Sequence, residues 1–122
     1  MGSVTLGALS ATPQQVADFA ASSGSDGRSH LDVGYAREQF GGLVVQGALL
    51  AERLLSSAIT TGVIDPDLRG STIDIAFRSV VHTGELVTVD VQCDDEAATI
   101  VGTVDGNPVI VETVWPMREG SV

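Results

Sequence analysis

The chain has 122 residues, of which 43% are hydrophobic, and it carries 16 acidic residues against six arginines and no lysine, a net charge of −10. This length fits one domain with its own core, so we expect residues 1–122 to form a single domain. Such an excess of carboxylates repels phosphates and anionic lipids, which disfavours binding to nucleic acid and to membrane surfaces. Cys93 is the only cysteine, which excludes an internal disulfide and a multi-cysteine zinc site.

Targeting and cofactor signals are missing from the sequence. No apolar run reaches the length of a membrane span, and residues 1–4 lack a basic region and an apolar signal core. We therefore expect a cytoplasmic protein. The glycines form neither a dinucleotide fingerprint nor a Walker loop, and His30 with Asp32 is too small a set for a metal site. We expect no cofactor and no metal.

A first helix is predicted after Thr12. Thr12 suits the N-cap, Pro13 suits the first helical position, and Gln15 stands where a capping box places a glutamine. Residues 22–27 are too rich in glycine and serine to continue the helix.

Two further helical stretches follow. One begins near Asp32 and runs to Phe40, where Gly41 and Gly42 interrupt it. The other, residues 43–60, is apolar on nearly every side. A helix with so little polar surface must be wrapped by protein, and this one is too short and too interrupted to span a bilayer.

The second half of the chain is predicted to be strand after strand. The four strands are residues 73–78, 87–92, 97–104 and 109–115. Apolar and polar residues alternate in the first two, which is the period of a half-buried strand. The separating turns are residues 82–84, 94–96 and 105–106. Because these turns are short, we expect antiparallel neighbours, with Asp105-Gly106 as the strongest hairpin signal.

Together these elements predict an α+β protein in which an antiparallel sheet curls around one long buried helix. This is the hotdog architecture. Its rival is an α+β sandwich with helices on one face of the sheet, which would not need so apolar a helix.

The two histidines and the cysteine are the candidates for chemistry. His82 lies in a predicted turn, and we interpret it as a solvated turn residue. His30 stands at the end of the Gly/Ser-rich loop, just before a helix, where capping or packing is the simplest role. Cys93 falls at a strand end, where small buried thiols are common, so a Cys-His nucleophile pair is not favoured.

Several motifs in order resemble the hydratase motif of the MaoC-like family. That family shows Gly-Asp-x-Asn-Pro-(Ile/Leu)-His-x-Asp and, later, (Val/Ala)-His-Gly at the start of the central helix. The matching segments are residues 23–32, Tyr35-Ala36, Phe40-Gly41-Gly42 and Val45-Gln46-Gly47. Residues 77–86 are similar to the family's Phe-x-x-Pro-Val-x-x-Gly-Asp strand and turn. The likeness extends over about residues 12–115 and implies a hotdog (R)-specific enoyl-CoA hydratase or 3-hydroxyacyl dehydratase.

The resemblance also implies a mechanism. In the family, an Asp and a His activate one water, which adds to the β-carbon of a trans-2-enoyl thioester; the reverse reaction removes water from a 3-hydroxyacyl thioester. A backbone N–H at the start of the central helix stabilises the enolate, which suits a helix N-terminus with unpaired donors. By position, His30 matches the catalytic histidine and Gly47 matches the residue that supplies the N–H.

The sequence departs from the family at the partner of that histidine. The Asp five residues before His30 is Ser25 here, and the nearest carboxylate is Asp26. Gly27-Arg28 replaces Asn-Pro, and Gln46 replaces the His before the helix glycine. Three interpretations stay open: Asp26 takes the carboxylate role, Ser25 holds the water while His30 alone is the base, or hydration is lost and only the acyl-thioester pocket remains.

Function therefore has three candidates. The first is hydration or dehydration of a thioester, with CoA favoured over carrier protein because an acidic carrier should dock poorly on an acidic surface. The second is other hotdog chemistry, namely thioester hydrolysis or conjugate addition. The third is a catalytically silent acyl-binding subunit of a hydratase complex.

Substrate contacts and partners follow from the same resemblance. Arg28 and Arg78 are candidate cations for CoA phosphates, Gln46 is a further candidate contact, and Leu43 and Phe77 are candidates for an acyl tunnel. Because one curled sheet leaves an exposed edge, we expect a homodimer or higher oligomer, or a hetero-complex with a second MaoC-like chain.

Overall fold

One long helix and one sheet dominate the structure, a computed structural model that describes residues 3–116. The elements in chain order are β1 (Val4–Leu9), α1 (Pro13–Ser23), α2 (Arg28–Leu31), α3 (Val33–Phe40), α4 (Gly47–Thr60), β2 (Thr72–Phe77), β3 (Val87–Cys93), β4 (Ala98–Val104) and β5 (Asn107–Trp115). The five strands form a single antiparallel sheet in the order β1-β3-β4-β5-β2. Helix α4 packs on β3, β4 and β5, which confirms the predicted α+β arrangement of sheet and central helix.

Helix α4 begins at Gly47, four residues later than the sequence predicted. The preceding residues 43–45 are not helical, because their backbone groups bond sideways to other parts of the chain. The Val44 N–H donates to the Ser29 carbonyl at 2.9 Å, and the Val45 N–H donates to the Val81 carbonyl at 2.7 Å. Both valines are buried in this crossing segment, which explains why these positions are apolar although they are not part of the helix.

The predicted neighbour of β2 is wrong. The sequence suggested that the short turn at residues 82–84 would place β2 beside β3, whereas β2 pairs with β5 and forms one edge of the sheet. The turn does not close a hairpin because its backbone is paired elsewhere: the Thr83 N–H donates to the Leu43 carbonyl at 2.9 Å. The other two turns do connect neighbours, and Asp105 and Gly106 have φ of 50° and 80°, as a tight hairpin requires.

Strand β1, which forms the opposite edge beside β3, was not predicted. Its pairing is irregular between Thr5 and Gly7, and Gly7 has a φ of 141°. This bulge breaks the alternation that a sequence pattern needs. The strand is also largely exposed, so it lacks a marked apolar face.

The helices of the first half follow the local signals. Thr12 and Gln15 form the predicted capping box, with the Gln15 N–H donating to Thr12 Oγ1 at 3.1 Å and the Thr12 N–H donating to Gln15 Oε1 at 2.9 Å. Helix α1 ends at Gly24, whose φ of 78° suits glycine. Asp32 caps α3 by accepting from the Tyr35 N–H. Within residues 3–116, no helix combines the length and the apolar character needed to cross a membrane.

Candidate active site

A cavity of about 370 Å³ lies where α2, the start of α4 and the end of β2 meet. Its lining residues are His30, Val44, Val45, Gly47, Leu50, Phe77 and residues 78–81. The lining is mostly apolar, and His30 supplies the one imidazole. A second cavity, of about 300 Å³, lies near Ile64, Cys93 and Val114 and contains none of the motif residues. The first cavity is therefore the candidate site.

His30 is oriented by a backbone carbonyl. The sequence placed it in a loop, but residues 28–31 form the single helical turn α2. Its Nδ1 lies 2.7 Å from the carbonyl oxygen of Val44. Because a carbonyl only accepts, Nδ1 carries the hydrogen and donates it, and the neutral ring then keeps its lone pair on Nε2. No residue among 3–116 forms a hydrogen bond with Nε2, so this nitrogen is available as a base.

Gly47 opens helix α4 at the wall of the cavity. A Cβ atom built on Gly47 would lie 2.8 Å from the ring of Phe77, a distance that real Cβ atoms do not show, so the close approach of this ring needs glycine. The Gly47 N–H precedes the first possible intrahelical bond, and no acceptor among residues 3–116 is bonded to it. An unpaired N–H at a positive helix end beside a cavity is a suitable donor for an oxyanion.

Gln46 is held inside the protein and does not line the cavity. Its side chain is 2% exposed, and Nε2 donates to the carbonyls of Val16 at 2.9 Å and of Ser25 at 3.4 Å. Its Oε1 is buried without a partner among the described residues. The carboxamide therefore connects helix α1 and the loop before α2 to the start of α4.

The two candidates for the partner of His30 do not bond to it. Ser25 is half-buried, and its carbonyl accepts from Gln46. Asp26 is exposed, and its only hydrogen bond within residues 3–116 runs from its own N–H to the Gly24 carbonyl. In this conformation His30 and the Gly47 N–H share a cavity, but no carboxylate is bonded to His30 in the part of the chain that the structure describes.

The remaining predicted contacts divide between the cavity and the surface. Phe77 and Arg78 line the cavity, and Phe77 is 55% exposed. Leu43 is half-buried but is not part of the lining. Arg28 lies along the outside of α2 and α3.

Arg28 interacts with two residues of α3 and its cap. Its Nη2 is 3.4 Å from the Asp32 carboxylate, and its guanidinium is 4.3 Å from the centre of the Tyr35 ring. The Tyr35 N–H, with Arg28 beside it, lowers the pKa of Asp32. Arg28 is thus engaged at the surface and would have to leave these contacts to reach a ligand in the cavity.

The sequence analysis did not single out Glu112 and did not predict the partners of His82. Glu112 on β5 is 1% exposed, its Oε2 has no partner among the described residues, and burial raises its pKa to about 7. The sequence signal was its position in the alternation of the strand, because Glu112 stands two residues from both Ile110 and Val114, which face inward. His82 was interpreted as a solvated turn residue, and the structure shows it partly exposed and hydrogen-bonded beside the turn. Its side chain is 32% exposed, and both ring nitrogens are held by acceptors, one from Glu85 and one from the end of α3.

Solved structures of other proteins share this fold. The (R)-hydratase from A. caviae involved in PHA biosynthesis has a TM-score of 0.74 and 23% identity over 96% of this chain and 95% of that chain. The MaoC-like dehydratase from Rhodospirillum rubrum has a TM-score of 0.66 and 18% identity over 96% and 92% of the two chains. The C-terminally truncated HadBC (3R-hydroxyacyl-ACP dehydratase) complex from Mycobacterium tuberculosis has a TM-score of 0.68 and 14% identity over 88% and 87%.

These likenesses define the class of fold. The sheet and central helix are those of hotdog hydratases and dehydratases, so the hotdog prediction is confirmed, and the matches extend over most of both chains. No protein-family model and no curated protein matches the sequence. At these identities the similarity establishes the fold.

Proposed function

We propose that this protein adds water to a 2-enoyl thioester or, in reverse, removes water from a 3-hydroxyacyl thioester. The observation that carries the proposal is the cavity shared by His30 and Gly47. One contributes an imidazole with a free Nε2, and the other contributes an unpaired N–H at the start of α4. The solved structures with the same fold include a hydratase and dehydratases.

The two groups suit the two demands of the reaction. The thioester carbonyl accepts from the Gly47 N–H, and Nε2 of His30 takes a proton from water as its oxygen bonds to the β-carbon. The electron pair of the double bond moves to form the enolate, and the protonated His30 then returns its proton to the α-carbon, which restores the neutral ring. General-base catalysis contributes about 10²–10⁴-fold to such steps, and one oxyanion donor contributes roughly 3 kcal/mol.

The assay uses trans-2-enoyl-CoA substrates, from crotonyl-CoA to longer chains. Loss of the conjugated absorbance without release of free thiol supports hydration. Thiol release at the same rate would instead indicate thioester hydrolysis, the second kind of hotdog chemistry. The same assay with carrier-protein thioesters tests the preference for CoA that the net charge of −10 favours.

Ser25→Asp is expected to raise the hydration rate by about tenfold or more, because it places a carboxylate where the MaoC-like family has one. The proposal here is that Asp26 takes that role in the natural chain, with Ser25 as the alternative. Asp26→Asn then lowers the rate, while Ser25→Ala leaves it nearly unchanged. The opposite pattern, loss in Ser25→Ala alone, would assign the water contact to Ser25.

We further propose that a second chain covers the edge strand β2. Three apolar side chains on one face of this strand, Ile73, Ile75 and Phe77, are each more than a third exposed, and the outer edge has no strand partner within residues 3–116. The partner is a second copy or, as in the HadBC complex, a different chain of the same fold. No carboxylate among residues 3–116 bonds to His30, which is a reason to test the hetero-complex, in which this chain would be a silent subunit.

Light scattering is expected to give the mass of two chains. Ile75→Asp should weaken association by about a hundredfold or more, because a charge would be buried in the interface. Leu86→Asp, at an exposed position outside β2, serves as the matched control and should leave the mass unchanged. A wild-type protein that is monomeric at all concentrations, with and without a coexpressed partner, would contradict this arrangement.

A further inference from the structure

The segment that joins α3 to α4 lies between the two histidines of the chain. On one side, the Nδ1 of His30 donates to the Val44 carbonyl. On the other side, the backbone of His82 pairs with that of Val44, and the Nε2 of His82 lies 2.5 Å from the Phe40 carbonyl. The carbonyl that orients His30 therefore belongs to a segment that the ring of His82 bonds at Phe40 and that the neighbours of His82, Val81 and Thr83, bond through their backbone.

Both ring nitrogens of His82 meet acceptors. The Nε2 partner is a carbonyl oxygen, and the Nδ1 partner, Glu85 Oε1, is 2.8 Å away. The same Oε1 accepts the His82 N–H at 2.7 Å, so it acts as an acceptor in both bonds. Because a carbonyl oxygen only accepts, the bond to Phe40 requires that Nε2 carries a hydrogen and donates it.

Acceptors of negative character surround the ring. Glu85 supplies a negative charge, and the Phe40 carbonyl belongs to the C-terminal end of α3, where helix dipoles favour cations. The charged residues of α3 itself are Arg37 and Glu38, and neither forms an ion pair with His82 among residues 3–116. The ring also packs beside Gly42, where a Cβ atom would lie 3.6 Å from it, an ordinary contact distance.

We propose that His82 is a positioning residue: its ring holds residues 40–45 in the register at which the Val44 carbonyl fixes the orientation of His30. Two backbone bonds, between Val45 and Val81 and between Thr83 and Leu43, set that register. The ring bond to Phe40 fixes the N-terminal end of the segment. Without the ring bond, the segment shifts and the Val44 carbonyl moves away from His30. This role rests on the proposed function only where activity is the readout.

His82→Phe keeps a ring but removes both donors. It is expected to lower kcat for hydration by about tenfold and to change KM by less than about twofold, since a small misplacement of a catalytic group slows the chemical step. His82→Arg, which can donate to both partners, should recover most of the rate. Leu86→Ala is the matched control on the same loop and should not change kcat.

Nitrogen-15 spectra of the histidine rings test the geometry without activity. Wild-type His82 should show a hydrogen on Nε2, which the bond to the Phe40 carbonyl requires, and His30 should show one on Nδ1. In His82→Phe the His30 signal should lose its fixed tautomer. A wild-type His82 without a hydrogen on Nε2, or an unchanged His30 signal together with unchanged kcat in His82→Phe, would overturn the proposal. Wild-type protein that shows these spectra but hydrates no thioester would overturn the proposed function and leave the positioning role standing.

Discussion

Replacing His30 by glutamine is expected to lower kcat/KM for hydration by a factor on the order of 10²–10⁴, the usual contribution of a general base. The glutamine amide can still donate to the Val44 carbonyl, as Nδ1 does at 2.7 Å, but it has no atom that takes a proton from water. The measurement is the initial rate with crotonyl-CoA and with a longer enoyl-CoA. His30→Ala should lose at least as much, because it removes the bond to Val44 as well.

Leu31→Ala provides the matched control, because Leu31 is on the same helical turn and is 45% exposed. It should keep the wild-type rate. Thermal unfolding of the three variants shows whether any loss of rate comes from unfolding. Equal kcat/KM for the wild type and the folded His30→Gln protein would remove His30 from the mechanism.

Glu112→Gln is expected to make the protein more stable at and above neutral pH, by up to about 3 kcal/mol. Burial raises the pKa of Glu112 from 4.5 to about 7 in the folded state. The folded protein therefore holds this proton more tightly than the unfolded chain does. The protonated carboxyl contributes stability that is fully present below pH 4.5. This contribution falls as the pH rises towards about 7 and is lost above that value.

The measurement is the free energy of unfolding by urea, taken at several pH values between 4.5 and 7 and above. The difference between wild type and Glu112→Gln should grow with pH through this interval and then become constant. Glu52→Gln, which alters an exposed carboxylate on α4, controls for net charge. Identical pH slopes for the wild type and Glu112→Gln would show that Glu112 is ionised or solvated alike in both states.

The local elements that were predicted correctly are those that depend on a few neighbouring residues. The capping box at Thr12 and Gln15 and the hairpin at Asp105-Gly106 each depend on atoms three residues apart or fewer, so the sequence alone contains them. The partner of β2 depends on where residues 81–83 bond, and their partners are almost forty residues away, in the segment before α4. No turn pattern contains that information, which is why β2 was placed beside the wrong strand.

The candidate site shows the same division. His30 and Gly47, which the family resemblance singled out, line one cavity, and their catalytic roles stay a prediction. The environment of His82 could not be predicted from the sequence, because the Phe40 carbonyl lies 42 positions away. That carbonyl is available as an acceptor only because α3 ends there. The surface contact of Arg28 was easier to predict from the sequence, since Asp32 follows it at the helical spacing of four residues.

The most direct test of a thioester hydratase is to run the reaction with an enoyl-CoA in water enriched in heavy oxygen and to identify the product by mass spectrometry. We expect an intact 3-hydroxyacyl-CoA with one heavy oxygen on the β-carbon, formed by the wild type and not by His30→Gln. Heavy oxygen in a free carboxylic acid, released together with CoA, or formation of the hydroxyacyl product at the same rate by both proteins, would contradict it.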